Sequence, residues 1–208
     1  MTIIDVSRRL VAGTAVWPGD TPYQMQTMLA KADGATVNLT TLTLSAHTGT
    51  HVDAPYHFVA DGLTLEEVDL APFWGLAQVV TVGAPAGALT PADFAAYDLS
   101  LAPRLLVRSA ASTLDQRLFP AAYTYPSPAL ADYLGGLGVV LYGTDGPSMD
   151  EENSQTLAGH HALQRNGIAL LEWLDLSRAA DGLYELVALP LNIVGGDGSP
   201  VRAALRSL

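Results

Sequence analysis

The sequence has no cysteine. Disulfides, thiolate metal sites and cysteine nucleophiles are excluded together, and any metal must be held through nitrogen and oxygen. Positive charge is scarce as well: 10 Lys and Arg stand against 21 Asp and Glu, a formal net charge of −11. Phosphate backbones are gripped by clusters of Lys and Arg, and no such cluster occurs, so no nucleic-acid partner is expected. The same acidity helps to concentrate divalent cations. No apolar run is long enough to span a bilayer, and the first residues, MTIIDVSRRLVAG, lack the apolar core of a signal peptide. A cytoplasmic protein with no membrane partner is the expectation. Three catalytic signatures are missing too. There is no GxSxG elbow, no GxxxxGKS or GxxxxGKT loop and no GxGxxG after a strand. Serine-hydrolase, nucleoside-triphosphate and dinucleotide chemistry therefore have no foothold.

What is present is an apolar chain. Of 208 residues 49% are hydrophobic and only 15% charged, with a mean hydropathy of +0.24. That is enough for one domain over residues 1–208 with a sizeable core. Charge this low on a small protein also predicts subunit interfaces, hence a homo-oligomer, either dimer or tetramer.

Histidine is distributed unevenly. Three of the five fall in SAHTGTHVDAPYHF, Ser45 to Phe58, as His47, His51 and His57, with Asp53 among them. The other two, His160 and His161, are adjacent and stand shortly before Glu172. The spacing of His47 and His51 would suit one helix face, as in helical zinc motifs. The intervening Thr48-Gly49-Thr50 and the following Val52-Asp53-Ala54-Pro55 argue against a helix, since β-branched residues, Gly and Pro are poor in helix interiors. An extended strand entering a turn fits better. Alternate side chains of a strand share a face, so His51 and Asp53 project together, and a bend at Gly49 brings His47 alongside. Imidazoles converging on a carboxylate make ligands for a divalent metal. The plainer alternative is a polar turn whose histidines bond backbone carbonyls, which the clustering disfavours.

Along the chain, strands are predicted over Ile3–Leu10, Tyr23–Ala30, Val37–Ser45, Ala77–Val82, Arg104–Ser109, Val139–Tyr142, Ile168–Glu172, Leu183–Val194 and Val201–Leu205. Helices are predicted from Thr90-Pro91, over Pro128–Leu134 closed by Gly135-Gly136, and over Thr156–Asn166 stopped by Gly167, with a short helical piece around Glu66. The strand before Ser45 delivers the chain directly into the histidine stretch. Trp17 lies on the turn-rich TAVWPGDTP loop, where an aromatic either packs in the core or lines a pocket. The run Asp150-Glu151-Glu152 reads as a solvated loop. Strands interleaved with helices indicate an α/β fold with a mixed sheet and flanking helices.

The run HTGTHVDAPYH, His47 to His57, fills every position of a His-x-Gly-Thr-His-x-Asp-x-Pro-x-His signature. Together with WPGDTPY, TDGPSMD, the His-His pair, LLE and the closing LPLN…GSPVRAALRSL, it resembles the cyclase-like family of metal-dependent hydrolases over essentially the whole chain. Within that family it is similar to the bacterial kynurenine formamidases. The resemblance implies a swivelling β/β/α fold and two divalent metal ions, zinc first, with manganese or iron as alternatives. It implies that His47, His51 and Asp53 bind one ion, with Asp53 bridging to a second held also by His160 and Glu172. Spacing alone leaves His160 and His161 equivalent; the resemblance selects His160. It further implies proton transfer by His57 and substrate contact by Trp17. The expected partner is a small aromatic amide, N-formylkynurenine, hydrolysed to kynurenine and formate. Two other readings stand beside it: a hydrolase of another small amide, lactam or lactone of the isatin type, and a non-catalytic metal-binding protein.

Overall fold

A computed structural model describes residues 2–208 and builds them around one curled, mixed sheet of nine strands. In spatial order these are β1 (Ile3–Asp5), β13 (Ala204–Ser207), β11 (Gly182–Val187), β5 (Trp74–Thr81), β7 (Arg104–Arg108), β9 (Leu141–Thr144), β10 (Ala169–Glu172), β4 (His51–Asp53) and β12 (Gly198–Pro200). The central pairings β5–β7, β7–β9 and β9–β10 are parallel. The outer pairings are antiparallel on both sides. A separate antiparallel ribbon joins β2 (Gln24–Leu29) to β3 (Leu39–Thr43), and β6 (Gly87–Leu89) pairs with β8 (Thr124–Pro126).

Parallel central strands bury both faces, so their residues are apolar in succession and sort by alternation. In β7, Leu105 and Val107 point to a core shared with Tyr142, Leu170 and two helices, α1 (Pro128–Gly136) and α2 (Ala158–Arg165). Leu106 between them joins the opposite core, with Val52, Leu141, Leu171 and Leu186. α1 starts where its sequence says it should: the Ser127 hydroxyl accepts from Leu130 N–H at 3.2 Å and Pro128 occupies the first turn, which satisfies one orphan donor and presets the backbone. Among the described residues no helix is long and apolar enough to cross a membrane.

Several elements differ from the sequence expectation, each for a local reason. The strand expected over Ile3–Leu10 ends at Asp5. Ser7 turns its hydroxyl to Ala203, and Arg8 N–H donates to the Thr50 hydroxyl at 2.8 Å, so the ladder stops. The strand expected over Leu183–Val194 ends at Val187; Pro190 lacks a donor, and Ala188 N–H is taken by Phe73 C=O. GGDGSP, residues 195–200 between the last two expected strands, contains β12, an edge strand on which Pro200 is tolerated. The helix from Thr90 is a single 3-10 turn, Pro91–Phe94, despite a complete Thr90–Asp93 capping box. α1 runs through Gly135-Gly136 rather than stopping before them. β6 and β8 were not expected at all.

Candidate metal centre

β4 carries the centre. His51 and Asp53 leave one face of this short strand while Val52, fully buried, anchors the other. In the antiparallel register His51 lies opposite Glu172 on β10, and Asp53 lies between Leu170 on β10 and Gly198 on β12. Gly49, at φ +67°, makes the bend just before the strand. Its carbonyl accepts from His51 Nδ1–H at 2.8 Å, which leaves Nε2 facing Asp53 Oδ1 at 3.3 Å and Glu172 Oε2 at 3.4 Å. On the far side of the bend, His47 places Nδ1 2.9 Å from Asp53 Oδ1. It fits because residue 198 is glycine: a Cβ there would stand 2.8 Å from His47 Cε1.

His160 arrives from α2. Asp150 accepts from the backbone N–H of Gly159 and of His160 at 2.7 and 3.0 Å, capping the helix, and from His160 Nδ1–H at 2.6 Å. His160 Nε2 is thereby aimed at Asp53 Oδ2 and Glu172 Oε1, each 3.6 Å away. Asp150 is buried and does structural work here, so the run Asp150-Glu151-Glu152 is not simply the solvated loop expected from sequence. His161, its neighbour, is exposed and meets the Phe58 ring edge-on at 5.5 Å.

The electrostatics are those of a site built for positive charge. Burial works to raise the Asp53 carboxyl, but hydrogen bonds from His160, His47 and His51 outweigh it and hold the group well below the usual carboxylate range. Glu172 is pushed the other way, by burial and by the Asp53 charge beside it. Its Oε1 is buried with no hydrogen-bond partner, a costly arrangement that a cation would relieve. Burial opposes charge on His47 and His160, yet the carboxylates around them raise the two to about 9 and about 10. Burial lowers His57, and the neighbouring His47 and His160 push the same way against the pull of Asp53. Among the described residues two sets of three ligand atoms lie within 4.8 Å of one another: His51, Asp53 and Glu172, and His47, Asp53 and His57. The donor set, imidazole nitrogen and carboxylate oxygen, suits a divalent ion.

The cluster floors a cavity of about 490 Å³ lined also by Trp17, Asp20, Trp173 and Asp197. Trp17 is half-buried and stacks edge-on against Phe119, which in turn meets Trp173, at centroid distances of 5.5 and 5.9 Å. Trp17 therefore both packs and lines the pocket. Asp197 was not singled out from sequence. Its Oδ2 is 3.1 Å from His47 Nε2 and 3.5 Å from His57 Nδ1; the only hint was an acid set among the glycines of GGDGSP.

The raised His47 and His160 predict proton release. Both lie above neutrality in the metal-free protein, and a ligating imidazole must be deprotonated. Titration with a divalent metal at pH 7.5, in buffers of different ionisation enthalpy, should show at least one proton released per chain. An enthalpy independent of buffer would contradict it.

The comparisons with known proteins agree with this geometry. The Cyclase family model matches residues 4–151. A kynurenine formamidase of Geobacillus thermodenitrificans is 44% identical over 99% of this chain and 97% of its own length. A second, from Salinibacter ruber, is 44% identical over 99% of this chain and 98% of its own. Among solved structures, a potential metal-dependent hydrolase with cyclase activity superposes with a TM-score of 0.83 at 25% identity, covering 98% of this chain and 96% of that one. The chain belongs to the cyclase family.

Proposed function

We propose that this chain is a metal-dependent hydrolase of N-formylkynurenine, acting as one domain over residues 1–208. The observation that carries the reading is the buried Asp53–Glu172 pair ringed by His47, His51 and His160, with Glu172 Oε1 lacking a hydrogen bond, in a chain 44% identical to kynurenine formamidases. His47, His51 and Asp53 would hold one divalent ion; Asp53, His160 and Glu172 would hold a second. The two oxygens of Asp53 face different partners, Oδ1 toward His47 and His51 and Oδ2 toward His160, which supports a bridging role. Such ions, zinc first and manganese or iron as alternatives, acidify water and polarise a carbonyl when bound.

The remaining steps fall to side chains. His57 is the most exposed of the four imidazoles lining the cavity, and partial burial keeps it below the ordinary histidine value, so it stands neutral at pH 7. A neutral imidazole takes a proton from water as its oxygen attacks the formyl carbon. It then delivers that proton to the arylamine nitrogen as the C–N bond breaks, releasing formate and kynurenine. Trp17, held by Phe119, offers a ring face or edge to the aryl group. Contacts of that kind contribute only about 0.5–1.5 kcal/mol beyond burial, so selectivity must come chiefly from seating the flat formamide over the cluster.

One set of assays tests the reading. On a metal-replete preparation, kcat/KM for N-formylkynurenine should exceed that for isatin. His57→Ala should keep its metal and lose about 10²–10⁴-fold in kcat, whereas His51→Ala should lose metal as well as rate. A preference for isatin would remove the formamidase assignment, and equal metal loss in the two variants would make His57 a ligand.

The protein is further read as a homo-oligomer. Every residue of β2 and β3 is exposed, including Met25, Met28, Leu29, Leu39 and Leu42. A lone two-stranded ribbon is marginal in water, and apolar patches of this kind mark contact surfaces. Light scattering should return at least twice the 21.8 kDa chain mass; a monomer at micromolar concentration would refute this.

A further inference from the structure

Asp197 is placed by its backbone rather than by its side chain. Its carbonyl accepts from Ala54 N–H at 2.9 Å, and the Gly196 carbonyl accepts from Leu65 N–H at 2.8 Å. Gly195 N–H donates to Glu66 Oε2 at 2.9 Å. These three bonds pin residues 195–197 across the segment that contains the Pro55–His57 turn, so the Asp197 carboxylate and the His57 ring are held against each other by two fixed pieces of main chain. Among the described residues Asp197 forms ion pairs with His47 and His57 and with no Lys or Arg. The two rings lie 4.0 Å apart, centroid to centroid, and share the one oxygen, Oδ2. An acid spent on a pair of imidazoles at a cavity wall, with no cation to balance, has a role in orienting them.

We infer that Asp197 is the positioning residue of His57: by accepting the Nδ1 proton it fixes the tautomer whose Nε2 is the proton acceptor. The inference rests on the reading of His57 as the proton-transfer group. A neutral imidazole has one N–H, and the hydrogen bond made by one nitrogen decides what the other can do. His57 needs such a hold, because its side chain is 36% exposed and its other close contacts are ring on ring, with His47, Phe58 and His160, which do not select a tautomer. Without Asp197 the proton redistributes between Nδ1 and Nε2, the ring turns about its own axis, and the productive form is populated for only part of the time. The consequence is a loss in turnover without a matching loss in substrate binding.

The test uses the intact, metal-replete protein and three readouts. In Asp197→Ala, metal content should match the wild type, kcat should fall by at least severalfold and by no more than the about 10²–10⁴-fold that acid–base help contributes in full, and KM should stay within about twofold of the wild type. ¹⁵N spectra of the His57 ring, assigned by difference from His57→Gln, should show mainly Nδ1–H in the wild type and a mixture in Asp197→Ala. Asp197→Asn, whose amide oxygen still accepts that proton, should recover most of the turnover and the single tautomer. An unchanged kcat or an unchanged tautomer in Asp197→Ala would overturn the inference, and so would metal loss, since Asp197 would then serve His47 or the ion itself. The ¹⁵N readout needs no substrate, so it decides the inference even if the wild type fails to hydrolyse N-formylkynurenine and the substrate reading falls.

Discussion

Two carboxylates, Asp53 and Glu172, sit side by side, each almost wholly buried, on neighbouring strands of one sheet. Removing a single ion from water costs on the order of several kcal/mol even after relaxation, and two like charges compound the cost. The protein answers with three imidazoles, and the answer is incomplete: Glu172 is driven toward its protonated form and one of its oxygens has no hydrogen bond. A buried cluster that leaves a carboxylate oxygen without a hydrogen bond is unfavourable in a structure that ends there. It becomes favourable when cations complete it, and the local sequence is explicable on those terms.

The layer behind the cluster fixes which nitrogen each ring presents. Gly49 C=O takes the Nδ1 proton of His51, and Asp150 takes that of His160, so both rings turn Nε2 inward. A metal ligand held through its second nitrogen keeps its tautomer and its angle. Asp150 does this while capping α2, so the helix that delivers His160 starts at the group that orients it. The absence of a Cβ at Gly198 has the same standing, since it is the space into which His47 turns.

How much of this could be read from the chain depended on distance in sequence. The alternation of His51, Val52 and Asp53 is a local property of an extended backbone, and it placed the imidazole and the carboxylate on one face with a buried valine behind them. The bend at Gly49 was equally local. Asp150, ten residues before its histidine, and Asp197, far beyond its own, carry no local mark; an acid in a loop is ordinarily solvated, and only the fold reveals that Asp150 is buried and that each acid faces an imidazole. The edge strand β12 was hidden for a similar reason, because glycine and proline argue for a turn unless the partner strand is known. The exposed β2–β3 ribbon had the alternation of a half-buried hairpin, but the chain supplies no layer for it to lie on.

The central claim is that Asp53 and Glu172 are buried in order to hold cations. Anomalous diffraction from crystals grown with zinc, recorded on both sides of the absorption edge, tests it directly. The account predicts two peaks, one on each side of Asp53, with His47 and His51 beside the first and His160 and Glu172 beside the second. A map with no anomalous density at Asp53 under saturating zinc would contradict it.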